Sequence, residues 1–227
     1  MALPDVRRPA GPASAPASRP GGNARAPRPR DARWVRTLLA WAALASALAG
    51  LHVTLQGVSW WLVGAAYAAA VLVAAQVARR LLRSSLWPPL VSFLAGVGLL
   101  TLGYAADTAI LGVVPTLGTV DRFAELGLSG VTSILEQRAP AEPELGIVML
   151  LAALMVFCAW LADVLLTLRA PALLVLPLAP LLLVPTSVRP GLTDGLWFVV
   201  TAVLYLALLR VGARPDSRRV ILATGAA

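Results

Sequence analysis

The sequence holds one cysteine, Cys158, and one histidine, His52. A lone thiol closes no intrachain disulfide, and the two side chains together are too few for a structural zinc site, which takes four ligands. Lysine is missing altogether, so all nineteen basic residues are arginine; with the Ala, Pro and Gly bias this suggests a GC-rich bacterial genome. Charged residues make up only 13% of the chain, against roughly 25% in soluble domains. A soluble globular domain is therefore excluded as the leading class.

Apolar runs fill the space that charge leaves, at 59% hydrophobic residues. A bilayer core of about 30 Å takes roughly 20 helical residues, and the runs at about 34–55, 58–78, 86–104, 145–168, 171–187 and 196–209 approach or meet that length. The expected fold class is all-α, an integral membrane bundle of six transmembrane helices over residues 34–209, with the lipid bilayer as its first partner. Residues 1–33 are Pro, Ala, Gly and Arg with hardly a large apolar side chain, and they read as a disordered basic cytoplasmic tail. Residues 210–227 read as a second basic tail. Arg7 and Arg8 form a twin-arginine pair, but no apolar region follows for nearly thirty residues, so an export signal is discarded. Ala45-Ser46-Ala47 resembles a signal-peptidase site, set behind an n-region unusually long for one.

The segment 105–144 is the longest polar one and carries a surplus of acid: Asp107, Asp121, Glu125, Glu136, Glu142 and Glu144 against Arg122 and Arg138. Within it Val120, Phe123, Ala124, Gly127, Leu128, Val131, Ile134 and Leu135 recur at helical spacing. This predicts an amphipathic surface helix in the loop between the third and fourth spans, with Thr119 as its N-cap. The small residues Ala95, Gly96, Gly98 and Gly103 of the third span are not spaced as G-x-x-x-G, and predict a single close-packing face.

Threading the chain six times with both termini in the cytoplasm puts sixteen of the nineteen arginines inside and only Arg122, Arg138 and Arg189 outside. That partition follows the positive-inside rule. It accounts for the formal charge of +8 without invoking nucleic acid.

Two polar features remain inside the spans. The fifth span carries Pro177, Pro180 and Pro185, each removing a backbone donor, and is expected to be a proline-broken helix needing packed neighbours. Asp163 lies about one and a half turns above the cytoplasmic end of the fourth span, where a carboxylate is costly unless paired; Arg169, Arg79 and Arg80 are the candidate partners. A thiol–imidazole dyad is ruled out by depth. Cys158 falls roughly 20 Å below the outer edge of its span at 1.5 Å per residue, and His52 lies within a turn of the outer edge of its own. No catalytic, cofactor-binding or metal-binding residue is expected.

The run D-x-L-L-x-x-R-x-P-A-L formed by Asp163, Leu165, Leu166, Arg169 and Pro171 to Leu173, followed by Leu176-Pro177-Leu178 and Leu183-Val184-Pro185, resembles the N-terminal membrane domain of bacterial transglutaminase-like proteins of the TgpA type. The resemblance extends to Gly112, Pro115 and Thr116 and to the Pro140 to Pro143 stretch, and covers about Trp34 to Arg219. It implies a bacterial cytoplasmic-membrane location. It also implies a further crossing and an extracytoplasmic papain-like catalytic domain in full-length members; this chain stops short of both and looks like a truncated or split version. The expected function is therefore a non-catalytic membrane anchor that positions such a domain or meets a cell-wall component. The alternative is a small transporter or lipid-handling protein built on the fifth helix and Asp163, although the two halves show no internal repeat.

Overall fold

The computed structural model describes residues 29–82, 87–136, 141–188 and 195–212. Most of the two basic tails, with Arg83, Arg138, Arg189 and Arg214, lies outside the described residues, as do the side chains at 29–32 and 184–188. The described residues form seven α-helices: α1 (Pro29–Ala49), α2 (Ser59–Leu81), α3 (Trp87–Tyr104), α4 (Leu117–Glu136), α5 (Leu145–Thr167), α6 (Val175–Val188) and α7 (Gly195–Gly212). Five helical segments are long and apolar enough to cross a membrane: Arg33–Val53, Ser59–Leu81, Trp87–Tyr104, Leu145–Thr167 and Gly195–Gly212. The fifth apolar run yields only a shorter apolar helix, Pro171–Leu183.

Local sequence explains most of the boundaries. Pro88 and Pro89 open α3, where a missing N–H costs nothing. Gly57, at φ +73°, makes the sharp turn between α1 and α2 that a side chain would strain. The end of α1 tightens into a 3-10 turn over Gly50–Val53. The predicted cap of α4 needs correcting. Thr116, not Thr119, precedes the helix: the Thr116 N–H donates to Thr119 Oγ1 at 3.0 Å and the Thr119 N–H returns a longer bond to Thr116 Oγ1 at 3.4 Å. This is a reciprocal capping box with threonine in the place usually held by Glu or Gln.

Contacts between the helices fix their directions. Gln76 donates to Thr37 Oγ1 at 2.6 Å and the Trp61 indole to Ala45 O at 2.8 Å, so α1 and α2 run antiparallel. α5 lies parallel to α2, with Asp163 beside Arg79 and Met155 nearer Gly64. α3 runs against both, its start held where the Trp160 indole donates to Pro89 O at 3.0 Å. α7 returns along α1, with Ser46 and Thr201 hydroxyls 2.9 Å apart and Gly50 beside Trp197. Ala45-Ser46-Ala47 thus lies buried within continuous helix. The core consists of small and branched residues, among them Leu44, Leu48, Ala68, Leu72, Met155, Ala159 and Leu181.

The small residues of α3 do not share one face. Gly96 meets Val156 and Val71, Gly98 meets Val113, and Gly103 sits under the Tyr67 hydroxyl. The closest backbone approach is elsewhere, between α4 and α5. A Cβ on Gly130 would lie 2.7 Å from Gly146 C, and one on Gly146 would lie 2.6 Å from Gly130 N. Small residues at a crossing let two helices touch backbone to backbone. Substituting Gly146→Val should force the helices apart at a cost of about 1–3 kcal/mol, read as a lower melting midpoint of the detergent-solubilised chain. Gly195→Ala, where nothing lies within 4 Å of the new Cβ, should leave the midpoint unchanged.

A buried arginine–aspartate pair at one end of the bundle

The helix directions sort the charged residues of the described chain into two ends. Arg30, Arg33, Arg36, Arg79, Arg80, Arg169 and Arg210, with Asp31, share the end at which α1 begins and α2, α5 and α7 finish. Asp107, Asp121, Glu125, Glu136, Glu142 and Glu144 share the other with Arg122. At that acidic end the Gln56 N–H donates to Ala141 O at 3.0 Å and the Ala141 N–H to Thr54 O at 2.9 Å, tying the α1–α2 turn to the segment before α5.

Asp163 belongs to the arginine end and is 1% exposed. Arg79 Nη2 donates to its Oδ2 at 2.6 Å and to Thr167 Oγ1 at 2.8 Å. Thr167, one turn after Asp163, in turn donates its hydroxyl hydrogen to Asp163 O at 2.8 Å. The carboxylate therefore meets its countercharge through a charge-assisted hydrogen bond, in a place where an unpaired charge would be costly. One turn earlier on α2, Gln76 fastens the same stretch to α1 through Thr37.

The other two candidate partners do different things. The Arg80 guanidinium lies 5.2 Å from the Trp34 ring centroid, a cation–π contact at the helix edge. Arg169 is exposed and makes no salt bridge to Asp163, because the chain has already turned away. Its φ is +59°. The Ala170 N–H bonds to Leu165 O at 3.1 Å and the Arg169 N–H to Leu166 O at 3.3 Å, the pair of bonds that defines a Schellman cap. Arg169 thus stands where helices usually place glycine, with its positive charge beside the negative end of α5. Pro171 follows two residues later and begins a 3-10 turn, Pro171–Leu174.

The prolines of the fifth run do not interrupt α6, which continues from Val175 to Val188. Pro177 lies in its first turn and is buried; Pro180 lies a turn further on and is exposed. Pro185 shares the helix backbone, and its side chain lies outside the described residues. The break expected at these prolines falls before them, at the 3-10 turn. The Tyr205 hydroxyl donates to Ala172 O at 2.7 Å there, giving that turn a partner from α7.

Cys158 and His52 are not brought together. The thiol donates to Pro177 O at 3.4 Å, whereas His52 Nδ1 lies 3.1 Å from Ala49 O at the opposite end of α1. Among the described residues no group of three His, Cys, Asp or Glu side chains is placed to hold a metal ion. The arrangement around Asp163 joins α2 to α5 through Arg79. Sequence spacing offered three arginines without ranking them, and the direction in which α5 ends is what separates them.

The family model described as the TgpA N-terminal domain matches residues 41–227. No curated protein and no solved structure matches the chain.

Arg79→Ala leaves the Asp163 carboxylate buried without its countercharge, and should cost about 3–5 kcal/mol. Asp163→Asn should likewise lower the amount of folded protein in the membrane. Arg169→Gly, which relieves the left-handed residue, should not. Melting curves of the three purified variants check the assignment: an Arg169→Gly loss equal to that of Arg79→Ala would show that the wrong arginine has been paired.

Proposed function

The chain belongs to the TgpA N-terminal domain family, and from that membership we propose that it is the non-catalytic membrane-anchoring module of a TgpA-type protein. It crosses the bacterial cytoplasmic membrane six times, with both ends inside. The single observation that carries this reading is the gathering of Arg33, Arg36, Arg79, Arg80, Arg169 and Arg210 at one end of a bundle of apolar helices, with Arg122 alone among the described arginines at the other, as the positive-inside rule requires. Six crossings need the shorter α6 as well as the five long helices. α6 has 14 residues, about 21 Å of helix, and so short a span is accommodated by local thinning of the bilayer, at a fraction of a kcal/mol per Å of mismatch.

In this orientation the Arg79–Asp163 pair lies near the cytoplasmic face and locks α2 to α5. The acidic end, with α4, faces outward. There it meets an extracytoplasmic transglutaminase-like domain or a cell-wall component. The anchor's work is mechanical: it holds that outward surface at a fixed height and orientation. A transporter would want an Asp163 free to take up a proton or a substrate, and its carboxylate is held by Arg79 instead.

Two measurements test this reading. A membrane-impermeant maleimide added to intact spheroplasts should label Glu125→Cys and spare Arg210→Cys; the reverse pattern would overturn the orientation. The chain expressed from its natural locus and captured from membranes should carry a transglutaminase-like domain, either in the same polypeptide or as a co-purifying partner. Capture of neither would remove the anchoring role.

A further inference from the structure

Between Asp107 and Asp121 the outward segment has no charge over thirteen residues, Thr108 to Val120. For a loop standing in water this is a poor composition, and its exposure makes it poorer: Leu111 is 92% exposed and Leu117 85%, with Ile110, Val113, Val114 and Val120 exposed beside them. Only a surface that meets something apolar makes sense of these residues.

The backbone is prepared for such a setting. Ile110 and Val114 exchange both of their N–H···O bonds, at 3.0 and 3.1 Å, closing a tight hairpin. The Gly112 N–H turns back to Ala109 O and the Val113 N–H to Ile110 O, each at 3.3 Å. The donors of Ile110, Gly112, Val113 and Val114 are thus used within the hairpin, which lowers the cost of setting this non-helical backbone against an apolar medium. Leu111, at φ +55°, accepts a left-handed conformation at the tip, next to Gly112 at +72°. The neck is closed by hydroxyls, with Thr116 Oγ1 donating to Thr108 O at 2.6 Å beside a buried Thr119.

Depth comes from what the hairpin touches. Val113 packs on Gly98 so closely that a Cβ there would lie 2.9 Å from Val113 Cγ1, and Leu102 lies over Gly112. Gly98 is six residues before the end of α3, about 9 Å along the axis. α3 has only 18 residues, about 27 Å against a hydrocarbon thickness of about 30 Å, so it has no slack with which to lift Gly98 out of the acyl region. Val113 therefore shares that depth. α4 continues the surface: Leu128, Val131 and Leu135 extend the exposed apolar stripe begun by Leu117 and Val120, with Asp121 at the edge of that stripe and Glu125 and Glu136 further round the same helix.

We propose that the hairpin from Thr108 to Thr116 is a re-entrant element embedded in the outer leaflet, with α4 lying along the interface above it, and that the partner of this exposed surface is lipid acyl chain. The choice of lipid over protein follows from the packing of Val113 against Gly98 within a span that has no length to spare, and from an apolar stripe on α4 that carries no charge within it, with Asp121 at its edge and Glu125 and Glu136 beyond. The proposal rests on the membrane-spanning reading given above.

The test uses the full chain with Cys158→Ala, reconstituted in vesicles of phosphatidylcholine and phosphatidylglycerol. An environment-sensitive fluorophore is placed at Leu111→Cys, at Glu125→Cys, or at Leu206→Cys on the exposed side of α7. Doxyl-labelled lipid should quench the probes at 111 and 206, and aqueous iodide should quench each of them several-fold less than the probe at 125. Iodide access at 111 with lipid quenching kept at 206 overturns the re-entrant hairpin and leaves the anchor standing. Iodide access at 111 and 206 alike overturns the membrane reading itself. Shielding of 111 from both quenchers places it against protein, a second copy or another chain, and also overturns the proposal.

Discussion

The position of every other helix follows from the parallel packing of α2 against α5, clamped at one end by Arg79 and Asp163. Two helices running in the same direction are never joined by a tight turn, so the chain has to leave and come back between them. That excursion is made by α3 and by the acidic segment carrying α4. On the other side of the pair, α1 fills the groove that α2 leaves open and hands its free flank to α7. A 2.6 Å contact between full charges tolerates little sliding. The register it sets at the arginine end is matched at the other end by the backbone bonds between Gln56, Ala141 and Thr54.

The all-α class and the five long apolar helices were legible because hydrophobic runs bounded by arginines and tryptophans are a signal of composition, independent of how the helices pack. What the sequence hid is geometric. Thr116 and Thr119 are equally good capping residues on paper, and only the backbone conformation decides that the first stands outside the helix and the second inside. Arg169 is closer to Asp163 in sequence than Arg79 is, yet a left-handed residue after Leu168 turns it away, and nothing in the residue type announces this. The apolar stripe of α4 was visible as a period. That its contact with α5 would run instead through Leu126 and Gly130 was not, because a glycine contact leaves no hydrophobic trace.

Glycine, more than bulk, shapes this bundle. Gly64 accommodates Leu48 and Met155, Gly96 accommodates Val156 and Val71, and Gly130 with Gly146 brings two backbones together. In a medium where apolar side chains gain little by meeting one another, close packing and hydroxyl bonds such as Ser46 to Thr201 supply much of what holds helices in place.

The Ser46–Thr201 contact also has a bearing on time. The two hydroxyls are 155 residues apart in the chain, and at 5–20 residues per second a ribosome needs roughly ten to thirty seconds to make the second after the first. Through that interval the flank of α1 meant for α7 has only lipid or the insertion machinery beside it, and its serine can satisfy itself only on the Ala43 carbonyl of its own helix. Closure of the bundle is therefore a late event in biosynthesis, and a nascent polypeptide stalled before α7 would present quality-control proteases with an unfinished seam.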